Sequence, residues 1–122
     1  MLRSLALILV LWLSACNLLP DRTEDQQDWS ANKFYSEAKE KLNDGNFAAA
    51  IKLYGSLEAR YPYGRIAQQA QLETAYAHYK NDEPASAIAA ADRFIKLHPN
   101  HVNVDYAYYI RGLSNFNDSW GM

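Results

Sequence analysis

The sequence has few of the residues that build several common kinds of site. It contains one cysteine, Cys16, in 122 residues, which excludes an internal disulfide and a zinc site with several cysteines. Its five glycines are isolated, whereas a phosphate-binding loop needs clustered glycines. The formal net charge is −2, whereas a protein that grips nucleic acid needs a basic face. We therefore predict no nucleic-acid partner and no cofactor.

Long hydrophobic runs are missing as well, except near the N-terminus. Residues 5–13 are an unbroken apolar run that follows Arg3 and precedes the small residues Ser14 and Ala15. A transmembrane helix needs about 20 apolar residues. A positive start, a shorter apolar run and small residues are instead typical of a secretory signal. We therefore predict that residues 1–15 are a signal peptide.

The end of this segment, Leu13-Ser14-Ala15-Cys16, resembles a bacterial lipobox. In lipoproteins of that class the thiol receives diacylglycerol, the signal is cleaved before the cysteine, and the new amine is acylated. Two or more acyl chains anchor a protein stably to a bilayer. The resemblance predicts lipidation at Cys16, and Asn17 at the next position favours the outer membrane. The alternative is an ordinary cleaved signal that leaves a free thiol.

A polar segment follows the cysteine. Residues 17–30 contain four acids and one Arg, without the periodic apolar stripe of a helix. Such a segment stays solvated and lets a folded part stand away from the membrane. We predict that residues 16–30 are a lipidated tether, and that Trp29 is the first residue to pack on the folded part.

From about Ala31 the pattern is helical and recurs every 37 residues. Two small residues and a proline recur at this offset: Ala38, Ala50 and Pro62, then Ala75, Ala87 and Pro99. Helices approach closely where Ala lies at their contact point, and Pro ends a helix because it disfavours α geometry in the preceding residue. This pattern resembles the tetratricopeptide repeat and predicts an all-α helical solenoid.

The spacing of apolar residues predicts two helix pairs and the first helix of a third repeat. The predicted helices are 30–44, 47–60, 66–80, 84–97 and 104 to about 117. The predicted solenoid, 31–122, divides into repeats at 31–64, 65–101 and, in part, 102–122. Because such a solenoid usually needs at least three repeats, we expect a fragment of a longer one.

In a solenoid of this kind the first helices of successive repeats line a concave groove, and tyrosines recur at the predicted inward positions. Tyrosine suits peptide capture because it combines a large contact area, a polar tip and few torsions. The candidate binding residues are Tyr35, Leu72, Tyr76, Tyr79, Tyr106 and Tyr109, with Lys39 on the same stripe as Tyr35. The alternative is that these side chains belong to the core between helices.

The connection 60–64, RYPYG, is a second candidate surface. A turn requires the Pro and the Gly but not a tyrosine on each side of the proline. Tyr61 and Tyr63 are therefore candidate partner-binding residues. The alternative for Tyr61 is that it packs the end of the preceding helix.

No catalytic set emerges from the sequence. His98 and His101 are the clustered histidines, and Asp105 is the acid nearest to them. A zinc site would need further ligands, so these residues are interpreted as parts of a turn. The remaining acids are scattered along predicted helix surfaces, mostly near Lys or Arg. We predict that the chain is not an enzyme.

Longer runs make the resemblance more specific than the repeat class. They are residues 60–64, 68–72, 75–81, 92–99 and 105–113. Together with the lipobox and the tether, these runs resemble the ComL/YfiO-type lipoproteins of the outer-membrane β-barrel assembly machinery. The resemblance extends over essentially all of the chain after residue 15.

This resemblance implies a non-enzymatic subunit that assists folding and insertion of β-barrel proteins. Its implied partners are unfolded outer-membrane β-barrel precursors at the N-terminal repeats, BamA and other Bam lipoproteins at the C-terminal repeats, and the outer membrane, where the lipid anchor would hold the chain on the periplasmic face. One alternative is a repeat-containing envelope lipoprotein that scaffolds cell-wall enzymes. Another is an enzyme whose catalytic part lies beyond residue 122.

Overall fold

The computed structural model describes residues 26–120, which form five helices and no strand. The helices are α1 (Ala31–Asn43), α2 (Phe47–Arg60), α3 (Arg65–Lys80), α4 (Pro84–Leu97) and α5 (Val104–Trp120). None of these helices is both long enough and apolar enough to cross a membrane. The predicted signal peptide, residues 1–15, and the predicted lipidation of Cys16 lie outside the described residues.

The helices stack as a repeat. Each helix packs against the next one in the chain, and the first helices also contact one another, α1 with α3 and α3 with α5. Helices α1, α3 and α5 therefore form one layer, and α2 and α4 form the other. This arrangement confirms the predicted all-α, tetratricopeptide-like solenoid.

The small residues of the 37-residue pattern are buried in the first two repeats. Ala38, Ala50, Ala75 and Ala87 have no exposed surface. Gly112 takes the same place in the third repeat, but it is exposed, and no heavy atom lies within 4 Å of where its Cβ would be. The first two repeats thus enclose their small residues, whereas the third position is open.

Both repeats turn between their helices through a residue in the left-handed conformation. Gly45 has φ 79° after α1, and Asp82 has φ 58° after α3. In the first turn the Asn46 N–H donates to the Lys41 carbonyl at 2.9 Å, and the equivalent bond in the second turn is 3.0 Å. These bonds satisfy carbonyls that the helix end leaves without partners.

The predicted helix bounds shift slightly for local reasons. Ser30 lies outside α1 because its side chain caps the helix by accepting from the Lys33 N–H. Helix α3 begins at Arg65, directly after Gly64, whose φ of 100° suits glycine. Helix α5 continues to Trp120, three residues beyond the predicted end.

Residues 26–30, which we call the strap, lie against the end of the first repeat. The Arg60 guanidinium donates to the carbonyls of Gln26 and Gln27, and the Tyr61 hydroxyl donates to the Trp29 carbonyl at 2.7 Å. The Trp29 ring packs on Phe34 with centroids 5.1 Å apart. The last part of the predicted tether is therefore held against the fold, and Trp29 packs as predicted.

Candidate functional site

A groove of about 750 Å³ lies on the layer formed by α1, α3 and α5. We call it the central groove. Its walls combine aromatic rings, Phe47, Tyr76 and Tyr106, with charged side chains, Lys39, Glu73, Lys80 and Asp105. The groove contains cations, anions and rings together, so it is neither a purely apolar slot nor a surface with charges of one sign.

Helix α3 supplies the middle wall. Gln69, Glu73, Tyr76 and Lys80 line the groove and are spaced by four, three and four residues, which places them on one face of a helix. The sequence analysis placed Tyr76 on this wall but missed Glu73 and Lys80. Their spacing along α3 was a signal for the shared face, but the sequence does not show that Lys39 and Tyr35 of α1 lie opposite Glu73.

Glu73 joins the two repeats across the groove. Its Oε1 accepts from Lys39 Nζ at 2.9 Å and lies 3.4 Å from both the Tyr35 hydroxyl and Gln69 Nε2. The Glu73 side chain is only 13% exposed, so these donors compensate a charge that has lost much of its hydration. Tyr35 and Lys39 belong to α1, and the carboxylate therefore fixes α1 relative to α3.

This carboxylate changes the titration of its neighbours. Burial, together with the negative charge of Glu73, raises the pKa of Tyr35 above its ordinary value. Burial acts to lower the pKa of Lys39, but its hydrogen bond to Glu73 and the attraction between the two charges raise it overall. At neutral pH the groove therefore keeps a protonated phenol and a charged ammonium beside the carboxylate.

Tyr106, from α5, forms the far edge of the groove. It is 37% exposed, and burial, together with Tyr76 and Glu73, raises its pKa to about 12. Its ring centroid lies 6.3 Å from that of Tyr109, which is 60% exposed. Tyr106 thus offers a neutral hydroxyl donor and a ring face at physiological pH.

Four of the predicted groove residues contribute to packing, among them Tyr76, which packs against two core clusters. Tyr35 stacks against Tyr54 with centroids 5.9 Å apart. Leu72 is 2% exposed because Phe94 and other buried side chains cover it, so it forms the floor of the groove. Tyr79 is half-buried against the cluster of Ala75, Ala91 and Ile110, away from the groove walls.

The two tyrosines of the 60–64 connection have different surroundings. Tyr61 is half-buried, and its hydroxyl binds the strap. Tyr63 is 91% exposed. The structure therefore gives Tyr61 the helix-end packing considered as its alternative, and it leaves Tyr63 available at the surface.

The clustered histidines stabilise the end of α4. His98 and Gln71 are joined by a hydrogen bond of 2.9 Å. The rings of His98 and His101 both meet the Phe94 ring near its edge, at 5.2 and 5.1 Å between centroids. Within residues 26–120, no group of three or more His, Cys, Asp or Glu side chains could hold a metal ion.

The sequence was compared with known protein families. The sequence matches YfiO, an outer membrane lipoprotein family, over residues 27–122. The chain belongs to this family. The match includes all five helices and the central groove, so the YfiO repeats are the part of the molecule described above.

Known YfiO relatives carry the name outer membrane protein assembly factor BamD. The chain is 52% identical over 117 residues to that protein of Neisseria meningitidis serogroup B, an alignment that covers 93% of this chain and 44% of the relative. It is 50% identical to that of Neisseria gonorrhoeae, with the same coverage. For Vibrio cholerae the identity is 38%, over 84% of this chain and 42% of the relative. The chain spans less than half the length of these relatives.

The groove of this YfiO chain offers several kinds of polar and apolar contact. The rings of Tyr76 and Tyr106 provide flat apolar surface with polar tips. Lys80 and Asp105 line the same groove and offer charges of opposite sign. Such a site suits an extended or helical segment that carries aromatic and charged side chains.

Proposed function

We propose that this chain is the N-terminal, precursor-receiving part of an outer-membrane protein assembly factor. In this proposal the central groove binds unfolded segments of β-barrel proteins before their insertion and releases them without catalysing a reaction. The observation that carries the proposal is the groove itself, in which tyrosines on α3 and α5 border charged groups of both signs. Membership of the YfiO family supports the biological setting.

The proposal includes anchoring. Cys16 would carry the lipid, and the chain would lie on the periplasmic face of the outer membrane. The predicted signal and lipobox support this, as does the description of the family as outer membrane lipoproteins. BamA and other Bam lipoproteins are proposed partners of the whole assembly factor, of which the relatives have more than twice the length aligned here.

Site-specific photo-cross-linking tests the groove. A photoreactive phenylalanine analogue replaces Tyr106 on the groove wall or, in the matched control, Tyr108 on the same helix, which is 49% exposed outside the groove. An unfolded β-barrel precursor is then added. We expect the adduct at position 106 to exceed that at position 108 by about tenfold, because only position 106 borders the bound segment.

A second pair of variants compares a ring inside the groove with a ring outside it, and circular dichroism checks that each variant stays helical. Tyr76→Ala should weaken precursor binding about tenfold, since it removes a ring from the middle of the groove. Tyr63→Ala removes an exposed ring outside it and should leave precursor binding in the groove unchanged. Equal cross-linking at positions 106 and 108, or equal binding by the two variants, would contradict the groove as the receiving site.

A further inference from the structure

The connections of the solenoid lie at two ends. Because the helices alternate in direction, the strap and the connections 61–64 and 98–103 lie at one end, which we call the strap end. The connections 44–46 and 81–83 lie at the other end. A hydrogen bond joins Gln71 of α3 to His98 after α4, so the 98–103 connection lies against the helix that follows the 61–64 connection.

Exposed apolar side chains are present at the strap end, and α5 carries two more, Phe116 and Trp120, towards the opposite end. Tyr63 is 91% exposed and Val102 is 86% exposed, each in a different connection. Leu97, at the end of α4, is 54% exposed. The connections at the opposite end contain no aromatic or aliphatic side chain.

Charged side chains of both signs occur at each end. Arg60, Arg65 and Lys96 are exposed around the strap end, where the acids are Asp28 and Asp105. The connections at the opposite end contain the acids Asp44, Asp82 and Glu83, and the last turns of the helices before them carry Lys41 and Lys80. Basic and exposed apolar side chains therefore occur together at the strap end.

The strap fixes where the chain leaves the fold. Arg60 and Tyr61 hold its carbonyls at the strap end, and Gln26 is ten residues after Cys16. An extended chain spans at most about 3.5 Å per residue, so a lipid on Cys16 would lie within roughly 35 Å of Gln26. This step depends on the proposed lipidation, and it attaches the bilayer to the strap end of the solenoid and not to the opposite end.

We propose that the strap end docks on an anionic phospholipid surface. Tyr63 and Val102 enter the headgroup region, where amphipathic rings and apolar side chains are favoured. Arg65 and Lys96 face the lipid phosphates, to which basic groups near a membrane surface are attracted. The tether then limits how far the solenoid moves away, while the strap end sets its orientation.

Spin-label accessibility measures this docking in the lipidated chain on vesicles. A nitroxide is attached to Tyr63→Cys or Val102→Cys, with Asp44→Cys at the opposite end as the matched control. In vesicles that contain phosphatidylglycerol, we expect accessibility to oxygen relative to a water-soluble nickel complex to rise at least about threefold at positions 63 and 102. Position 44 should stay as accessible to nickel as the label is in buffer.

The charge contribution has its own test. The double variant Arg65→Gln with Lys96→Gln, carrying the label at position 102, should lower the docked fraction about tenfold or more. Vesicles of phosphatidylcholine alone should have a similar effect. Membrane-like accessibility that is unchanged by both treatments would overturn the charged part of the proposal.

The outcomes separate docking from anchoring. If the chain floats with the vesicles but the labels at 63 and 102 remain as aqueous as the label at 44, docking is overturned and the anchor stands. If the chain does not float, the anchor is contradicted and docking falls with it. Immobilised labels without increased oxygen access would point to a protein partner and would also overturn the proposal.

Discussion

Helices α2 and α4 occupy equivalent places in the two repeats, but they carry side chains of different size towards the first helices. Tyr54 of α2 is fully buried, whereas the residue 37 positions later is Ala91. Ile110 of α5 packs beside Ala91 and Ala75. In the first repeat, Tyr54 of the second helix fills the space against the first helix. In the second repeat, Ile110 of the next repeat fills the equivalent space beside Ala91.

At the strap end, the two repeats also place different side chains at equivalent positions. In the first repeat Phe34 is covered by Trp29 of the strap, and Tyr61 binds the strap carbonyl. At the equivalent positions the second repeat has Gln71 and His98, which bind each other at 2.9 Å. The repeated alanines therefore set the spacing of the helices in both repeats. The larger side chains differ between the repeats because each repeat packs against a different neighbour, the strap in the first and α5 in the second.

The largest predicted effects come from removing equivalent buried side chains. Phe94 and Leu57 are 37 residues apart and have no exposed surface. Phe94→Ala should lower the free energy of unfolding by about 3–5 kcal/mol, and Leu57→Ala by about 2–5 kcal/mol, because each leaves a cavity. Urea denaturation measures both.

The matched control for these truncations is Leu97→Ala, whose side chain is 54% exposed. It should change the free energy of unfolding by no more than about 0.5 kcal/mol. A cost below about 1 kcal/mol for Phe94→Ala would mean that the second repeat can collapse around the lost ring.

The next largest effects distinguish the two buried alanines of the repeat pattern, Ala38 and Ala75, from the exposed Gly112 at the equivalent position of the third repeat. Ala38→Val and Ala75→Val should each cost about 1–3 kcal/mol, because the added methyl groups overfill a close helix contact. Gly112→Ala should instead stabilise α5 by about 1 kcal/mol, since the added methyl meets no neighbour and Ala favours the helix. Thermal melts report both signs. Equal costs at all three positions would contradict the open third position.

The inter-helix turns should respond with opposite signs to matched changes. Gly45→Ala puts a Cβ on a residue with φ 79° and should destabilise the chain by about 1–2 kcal/mol. Asp82→Gly relieves a φ of 58° and should stabilise it by about 0.5–1 kcal/mol. Urea midpoints measure the pair. A loss of stability in Asp82→Gly would show that the Asp side chain contributes more to the turn than its backbone strain costs.

The smallest expected effect is a pH dependence specific to the second repeat. Burial, with the nearby charges of His101 and Arg93, lowers the pKa of His98 below its ordinary value of 6.5. The unfolded chain therefore binds more protons as the pH falls through this range. The stability that the neutral ring contributes is full above about pH 6.5 and is lost as the pH falls towards the folded-state pKa.

His98→Tyr, which installs the residue of the first repeat, should remove this contribution. The free energy of unfolding of the wild type relative to the variant, measured by urea denaturation at several pH values from 7.5 to 5, should fall as the pH falls, by a measurable amount of up to about 1 kcal/mol. A constant difference across this range would show that His98 binds protons equally in the folded and unfolded states.

Much of the fold was predictable because it depends on local features. The bounds of the first four helices were predicted to within one residue. The signals were the alanines at a fixed offset, the Gly45 turn and the prolines after α2 and α4. The groove was predictable only in part. Tyr76 and Tyr106 were found, but Glu73 was missed, because its importance comes from donors that are distant in sequence.

The sequence by itself determined the helices, their pairing and the 37-residue period, since these follow from spacing, propensity and helix-ending residues within one repeat. Tertiary structure alone decided that Tyr61 holds the strap, that Leu72 lies under α4 and α5, and that Glu73 joins the two repeats. The physical reason is that burial and charge pairing depend on which helix lies opposite, and that is set by how the repeats stack.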